Sequence, residues 1–192
     1  MIMHAEKPLR FGACSVDYGA NAEFTAPDTE DRQDYVLKAF IVSKDGKTLA
    51  QQSFNFTVFT DVKLPDSSDV ILITSLENGC HEIAGETVNV TRIPHGGMYF
   101  LSRKTGHDAV KDFAPKDFRM WYDKKEDRLA PIARQCFTAE GFKPILISNG
   151  SYDPRIVVGE KLYDGKRYVI CLADLREENP VAKRFHKKLL EL

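Results

Sequence analysis

Several things are scarce or missing in this chain, and each absence removes a class of function. No apolar stretch approaches the roughly 20 residues of a membrane-spanning helix, and Met1 to Arg10 lacks the apolar core of a secretory signal. A cytoplasmic location with no membrane partner is therefore expected. Without such a signal, the N-x-[ST] triplets at Asn55, Asn89 and Asn149 read as coincidence rather than glycan sites. The four cysteines, Cys14, Cys80, Cys136 and Cys171, form no C-x-x-C pair and have no histidine at zinc-site spacing. No metal is expected, and all four are expected to be reduced. A net charge of -1 lacks the basic excess of a dedicated nucleic-acid binder. Glycine-rich phosphate loops are also absent, so no cofactor is expected. Glycosidase chemistry needs two carboxyl groups facing one bond. Acids are plentiful here, but no motif pairs two of them, and no catalytic residue is assigned.

What is present is ordinary for a globular protein: 192 residues, 43% hydrophobic and 29% charged. A chain of this length buries roughly 70% of its unfolded surface without help from disulfides or metals. Tyr35 to Val42 is dense in apolar residues, Asp45-Gly46 suits a hairpin turn, and Phe54, Phe56 and Val58 alternate with Asn55 and Thr57. This predicts a β-hairpin with one buried face. Phe11 to Val16 is a candidate earlier strand, and Asn21 to Asp34 reads as a loop. Pro65 and the polar residues around it, within 61–68, mark a boundary, giving segments 1–62 and 63–192.

Beyond the boundary, Asp69 to Ser75 reads as a buried strand. Glu82 to Thr91 reads as a strand interrupted at Gly85, and Met98 to Ser102 and Phe142 to Ile147 as further strands. Lys104 to Phe137 reads as loops with short helical turns. Asp164-Gly165 is a second turn signal, followed by a central strand over Tyr168 to Ala173, where Cys171 serves as a small hydrophobe. Asn179 and Pro180 are a helix start, and Val181, Phe185 and Leu189 fall on one face. The basic run Lys183 to Lys188 then occupies the solvated face. The expected fold class is mixed: β-sandwich strands, then an α/β domain with a C-terminal helix packed on the sheet.

Two groups of residues carry candidate chemistry. Arg103 and His107 follow a strand end, and Asp117 and the Trp121-Tyr122 pair lie nearby in sequence. Sugar sites combine an aromatic face for the C–H side of a pyranose with polar groups for its hydroxyls. Trp121, Tyr122, Asp117, Arg103 and His107 are the candidate carbohydrate contacts. The simpler reading has Trp121 and Phe118, spaced i, i+3, packing on the core. Separately, Cys80 after Gly79 could mimic a nucleophile elbow, as in amidotransferase-like or small α/β hydrolase enzymes. That chemistry requires a strand-to-helix turn and a base other than the adjacent His81, and no helix signal follows Cys80. His95 with Gly96-Gly97 reads as a turn between strands.

Residues 70–79 (VILITSLENG), 99–107 (YFLSRKTGH), 117–123 (DFRMWYD) and 179–182 (NPVA) resemble the far C-terminal region of bacterial glycoside hydrolase family 2 proteins. Residues 44–47 and 54–58 resemble the closing strands of the immunoglobulin-like sandwich such proteins carry. The resemblance implies retaining hydrolysis of β-glycosides by two glutamates on a TIM barrel. One of those glutamates directly follows an asparagine in that family. This sequence has no Asn-Glu pair and no room for a barrel of about 250 residues, so no catalytic residue carries over. What carries over is an accessory role, with neighbouring glycosidase domains or a subunit as partners and carbohydrate as a candidate ligand.

Overall fold

The computed structural model describes residues 25–123, 125–148 and 155–192. The expected strand Phe11–Val16, Cys14 and Asn149 lie outside them. The protein is β-rich, with one α-helix among the described residues, at the C-terminus. It divides into two compact units, Met1–Thr60 and Asp61–Leu192.

In the first unit, β1 (Arg32–Val42) and β2 (Thr48–Phe59) form an antiparallel ribbon. Its turn is closed by the Gly46 N–H donating to the Ser43 carbonyl at 3.0 Å. Because side chains alternate along a strand, the register gathers Tyr35, Leu37 and Ile41 opposite Phe56, Phe54 and Ala50 on one face. The Tyr35 and Phe56 rings stack with centroids 5.6 Å apart. The sequence predicts this face to be buried. Instead Leu37, Ile41 and Phe54 are 41%, 42% and 51% exposed. Among the described residues of this unit no second layer covers the ribbon, and the apolar face made by alternation stays open. The ribbon also starts at Arg32, inside the stretch expected to be a loop.

The second unit is built on a curled eight-stranded sheet. Its strands are β3 (Val70–Ile73), β4 (Gly79–Ile83), β5 (Glu86–Arg92), β6 (Leu101–Ser102), β9 (Gln135–Thr138), β10 (Lys143–Ser148), β11 (Ile156–Tyr163) and β12 (Lys166–Cys171). The main path runs β3-β12-β11-β9-β5-β4, with β10 paired to β11 and β6 to β10. A separate hairpin joins β7 (Trp121–Asp123) and β8 (Arg128–Ala130). Among the described strands only β3 and β12 pair in parallel, with Val70 opposite Arg167 and Ile73 opposite Ile170. The apolar run expected to be a buried strand is thus an edge strand, half-buried along its length. At the β11–β12 turn, Asp164 and Gly165 have φ of 49° and 72°. Positive φ at both central residues matches the twist of the flanking strands and favours this dipeptide.

The core lies between the sheet and the elements laid on it, with Val88, Phe137, Ile145, Leu146, Val157 and Ile170 all fully buried. Helix α1 (Pro180–Leu190) starts as its sequence dictates. Asn179 Oδ1 accepts from the N–H groups of Val181 and Ala182 at 3.0 and 3.1 Å, and Pro180 occupies the first turn, where its missing N–H costs nothing. The helix buries Ala182, Phe185 and Leu189. Phe185 meets Phe113 and Phe118 edge-on at 5.8 and 5.2 Å. Lys183, Lys187 and Lys188 point away from this contact and pair with Asp61, Glu191 and Asp112. Among the described residues no helix is long and apolar enough to cross a membrane.

Candidate functional site

The candidate carbohydrate contacts do not share one surface. Trp121 is 4% exposed and its indole N–H donates to the Asp117 carbonyl at 2.8 Å. Asp117 is itself buried, and its carboxylate accepts from the Ala114 N–H at 2.7 Å, closing the turn over Pro115–Phe118. Phe118, fully buried, packs with Phe113. The indole therefore has no face open to a ligand, and its i, i+3 spacing from Phe118 serves the core. Tyr122, the next residue, turns outward in β7 and its hydroxyl bonds Asp127. Arg103 is half-buried, with its Nε shielded and without a hydrogen-bond partner among the described residues.

His107 belongs to a different arrangement. It is 2% exposed, and its Nδ1 accepts the Ala109 N–H at 3.1 Å. That bond requires a lone pair on Nδ1, so the ring proton sits on Nε2 and is donated to Glu160 Oε1 at 2.8 Å. Glu160, on the buried part of β11, also receives Arg167 from β12. Burial by itself would raise the Glu160 carboxyl. The bonds from His107 and Arg167 outweigh it and hold the group below the ordinary glutamate value. Thr105 Oγ1 donates to the Ile145 carbonyl at 2.9 Å, so the loop is fastened to β10 as well. With both imidazole nitrogens engaged, His107 has neither a free lone pair nor a free N–H for proton transfer. The cluster is a clasp holding the 103–110 loop on β10 and β11.

Cys80 lies exposed within β4, opposite Asn89. That strand turns back through Ala84-Gly85 into β5 and not into a helix. The neighbouring His81 donates to the Glu77 carbonyl at 2.8 Å. A strand-to-helix elbow, the geometry that would expose a nucleophile, is not formed here. Cys171 is fully buried, and burial pushes its thiol up to about 12. No group of three or more His, Cys, Asp or Glu side chains gathers as metal ligands among the described residues.

A concavity lies elsewhere, where the parallel strands β3 and β12 end. It is an open cleft of about 510 Å³, with Thr74 following β3, Asp174 and Arg176 following β12, Arg134 and Gln135 on a crossing segment, and His186 from α1. Buried Ile132, Ala133, Leu172 and Ala173 make the apolar floor. Internal bonds fix the walls. Gln135 Nε2 donates to the Leu76 carbonyl and to Asn78 Oδ1 at 2.9 and 3.0 Å. Arg176 is held between Asp123, at 2.8 Å, and Asp174. Burial lowers the His186 imidazole, against a smaller opposing pull from Glu177.

Gly97 fixes the crossing segment. Its φ is 127°, and a Cβ there would stand 2.7 Å from the Ala133 carbonyl oxygen and 2.7 Å from Pro131 Cβ. The next residue, Met98, exchanges short backbone bonds with this segment: its N–H donates to Ala133 at 2.7 Å, and its carbonyl accepts from Ile132 at 2.7 Å.

No protein-family model, curated protein or solved structure matches this chain. The site is therefore read from its own geometry. The sequence marked none of the six polar cleft residues as a site: Thr74 fell within the 70–79 stretch and His186 within the basic run read as a solvated face. Asp174 and Arg176 did carry a signal, polar groups placed directly after a central apolar strand, where loops on a rigid frame collect function. Arg134 and Gln135 carried none.

Proposed function

We propose that this chain is a non-catalytic accessory region of a glycoside hydrolase family 2-like protein acting on β-glycosides. In this reading β1 and β2 are closing strands of an immunoglobulin-like sandwich. The second unit is the α/β-type C-terminal domain, and the partners are the adjoining glycosidase domains or a separate subunit carrying them. One observation carries the reading: the apolar face of the ribbon, with Leu37 opposite Phe54, stands open. The opposite face also exposes Val36, Phe40 and Val42, so the ribbon needs covering layers that the described residues of its unit do not supply. Covering each such large side chain contributes about 1.5–3 kcal/mol. The arrangement of Trp121, Asp117 and His107 as packing and clasp residues fits a supporting role.

A hydrophobic dye and a glycosidase assay test this. The purified chain is expected to enhance the fluorescence of anilinonaphthalene sulfonate, with the enhancement reduced in a Leu37→Ser, Phe54→Ser double variant. It is expected to leave nitrophenyl β-galactoside and β-glucuronide uncleaved. An absent dye response, or turnover by the purified chain, overturns the reading. Turnover that disappears in Cys80→Ser would instead make the protein a small free-standing enzyme.

A further inference from the structure

We propose that the cleft at the carboxyl ends of β3 and β12 binds a small neutral polyhydroxylated ligand of mono- or disaccharide size. The choice of saccharides among polyols rests on the accessory-glycosidase reading. The site itself stands on its own chemistry.

Its position comes first. Where two adjacent strands run in parallel, the loops leaving their carboxyl ends start side by side and can wall a crevice, as they do at the switch points of open α/β sheets. β3 and β12 are such a pair, and Thr74 and Asp174 lie just past their ends. The volume of about 510 Å³ falls within the roughly 300–1,000 Å³ of small-molecule sites. Apolar floor and polar rim are both present, and the floor is rigid: Ala133 bridges to Met98 on one side and to Ala173 on the other.

The polar groups then select the ligand. Those already engaged hold the walls, so the remaining ones define what can be recognised. His186 makes no hydrogen bond to any described residue, which leaves one ring donor and one ring acceptor. Both Gln135 bonds use its nitrogen, leaving Oε1 free to accept. The Thr74 hydroxyl can do either. Arg134 uses only Nη1, on the Gly96 carbonyl at 3.1 Å, and keeps its other donors.

This is a mixture of neutral donors and acceptors with one exposed guanidinium, the complement of a set of hydroxyls. An anion would need converging uncompensated cations. Arg176 cannot serve, because Asp123 and Asp174 flank it. The half-buried Leu175 side chain beside the floor gives the C–H face of a sugar ring an apolar surface.

The test is a titration of the full isotope-labelled chain, followed by amide and imidazole NMR. The probes are methyl β-galactoside, lactose and inorganic phosphate. Saturable shifts with the sugars, confined to residues 131–135, 172–176 and His186, are expected. His186→Ala should weaken binding about two- to tenfold, the worth of one net hydrogen bond, without moving the thermal transition. Saturation by phosphate and not by the sugars would overturn the proposal in favour of an anion site. No saturation at the solubility limit of the sugars would overturn it outright. The dye measurement on the ribbon is independent, so failure here leaves the accessory reading to stand or fall by its own test.

Discussion

Removing His107 should show what the clasp contributes. His107→Ala deletes a donor to an ionised carboxylate, a bond worth about 1.5–3 kcal/mol, and strips the Ala109 N–H of its acceptor, at about 1–3 kcal/mol if it stays buried. Together the loss should be about 3–5 kcal/mol. Trp121 is the only tryptophan and lies in the second unit, so urea unfolding followed by its fluorescence reports on that unit alone.

A Glu160→Gln variant adds a pH dimension. The Glu160 carboxyl is lowered on folding, so the native state binds its proton less readily than the unfolded chain does. The resulting stability is present above the unfolded value of about 4.3 and is lost as pH falls through the folded value. Glutamine cannot titrate, and every other carboxylate is common to both proteins. The stability gap between wild type and Glu160→Gln should therefore narrow as pH drops from 7 to below about 4. A gap that stays constant or widens on acidification would refute the description of Glu160 as a charge held by His107 and Arg167. A loss below about 1 kcal/mol in His107→Ala would refute the clasp.

Other substitutions and a labelling experiment probe separate parts of the fold. Gly97→Ala puts a side chain into a left-handed backbone position against Ala133 and Pro131, and should cost about 1–3 kcal/mol in the same unfolding assay. Asn179→Ala removes both side-chain bonds that start α1 and should cost about 1 kcal/mol. Phe185→Ala empties the space between Phe113 and Phe118 and should cost about 3–5 kcal/mol. With a thiol reagent at neutral pH, Cys80 should label in the native protein, whereas Cys171, buried and raised to about 12, should label only on unfolding.

Where local chemistry decides the structure, the sequence was readable. The hairpin registers follow from alternation and from the Asp164-Gly165 turn, and α1 follows from Asn179, Pro180 and its apolar face. Strand β11 escaped because Gly159 and Glu160 interrupt its apolar run. Neither residue favours a strand, but burial on both sides and the bonds to Glu160 override that preference. β7, β8 and β9 were hidden in a charged stretch because each is only three or four residues long, too short for a period to emerge. For the candidate site, residue type pointed at the right neighbourhood but could not tell inside from outside. Trp121 and Tyr122 are adjacent, yet pairing with Ala130 buries the first while pairing with Leu129 leaves the second exposed.

The parallel pairing of β3 with β12 has a consequence for synthesis on the ribosome. β3 emerges near the start of its unit, whereas β12 and α1 come at its end. Until β12 has been translated, Val70–Ile73 is a nascent β-branched segment without its mate, a natural client for chaperones. A premature stop even a few codons before Lys166 would remove an interior strand and leave no shortened domain able to fold.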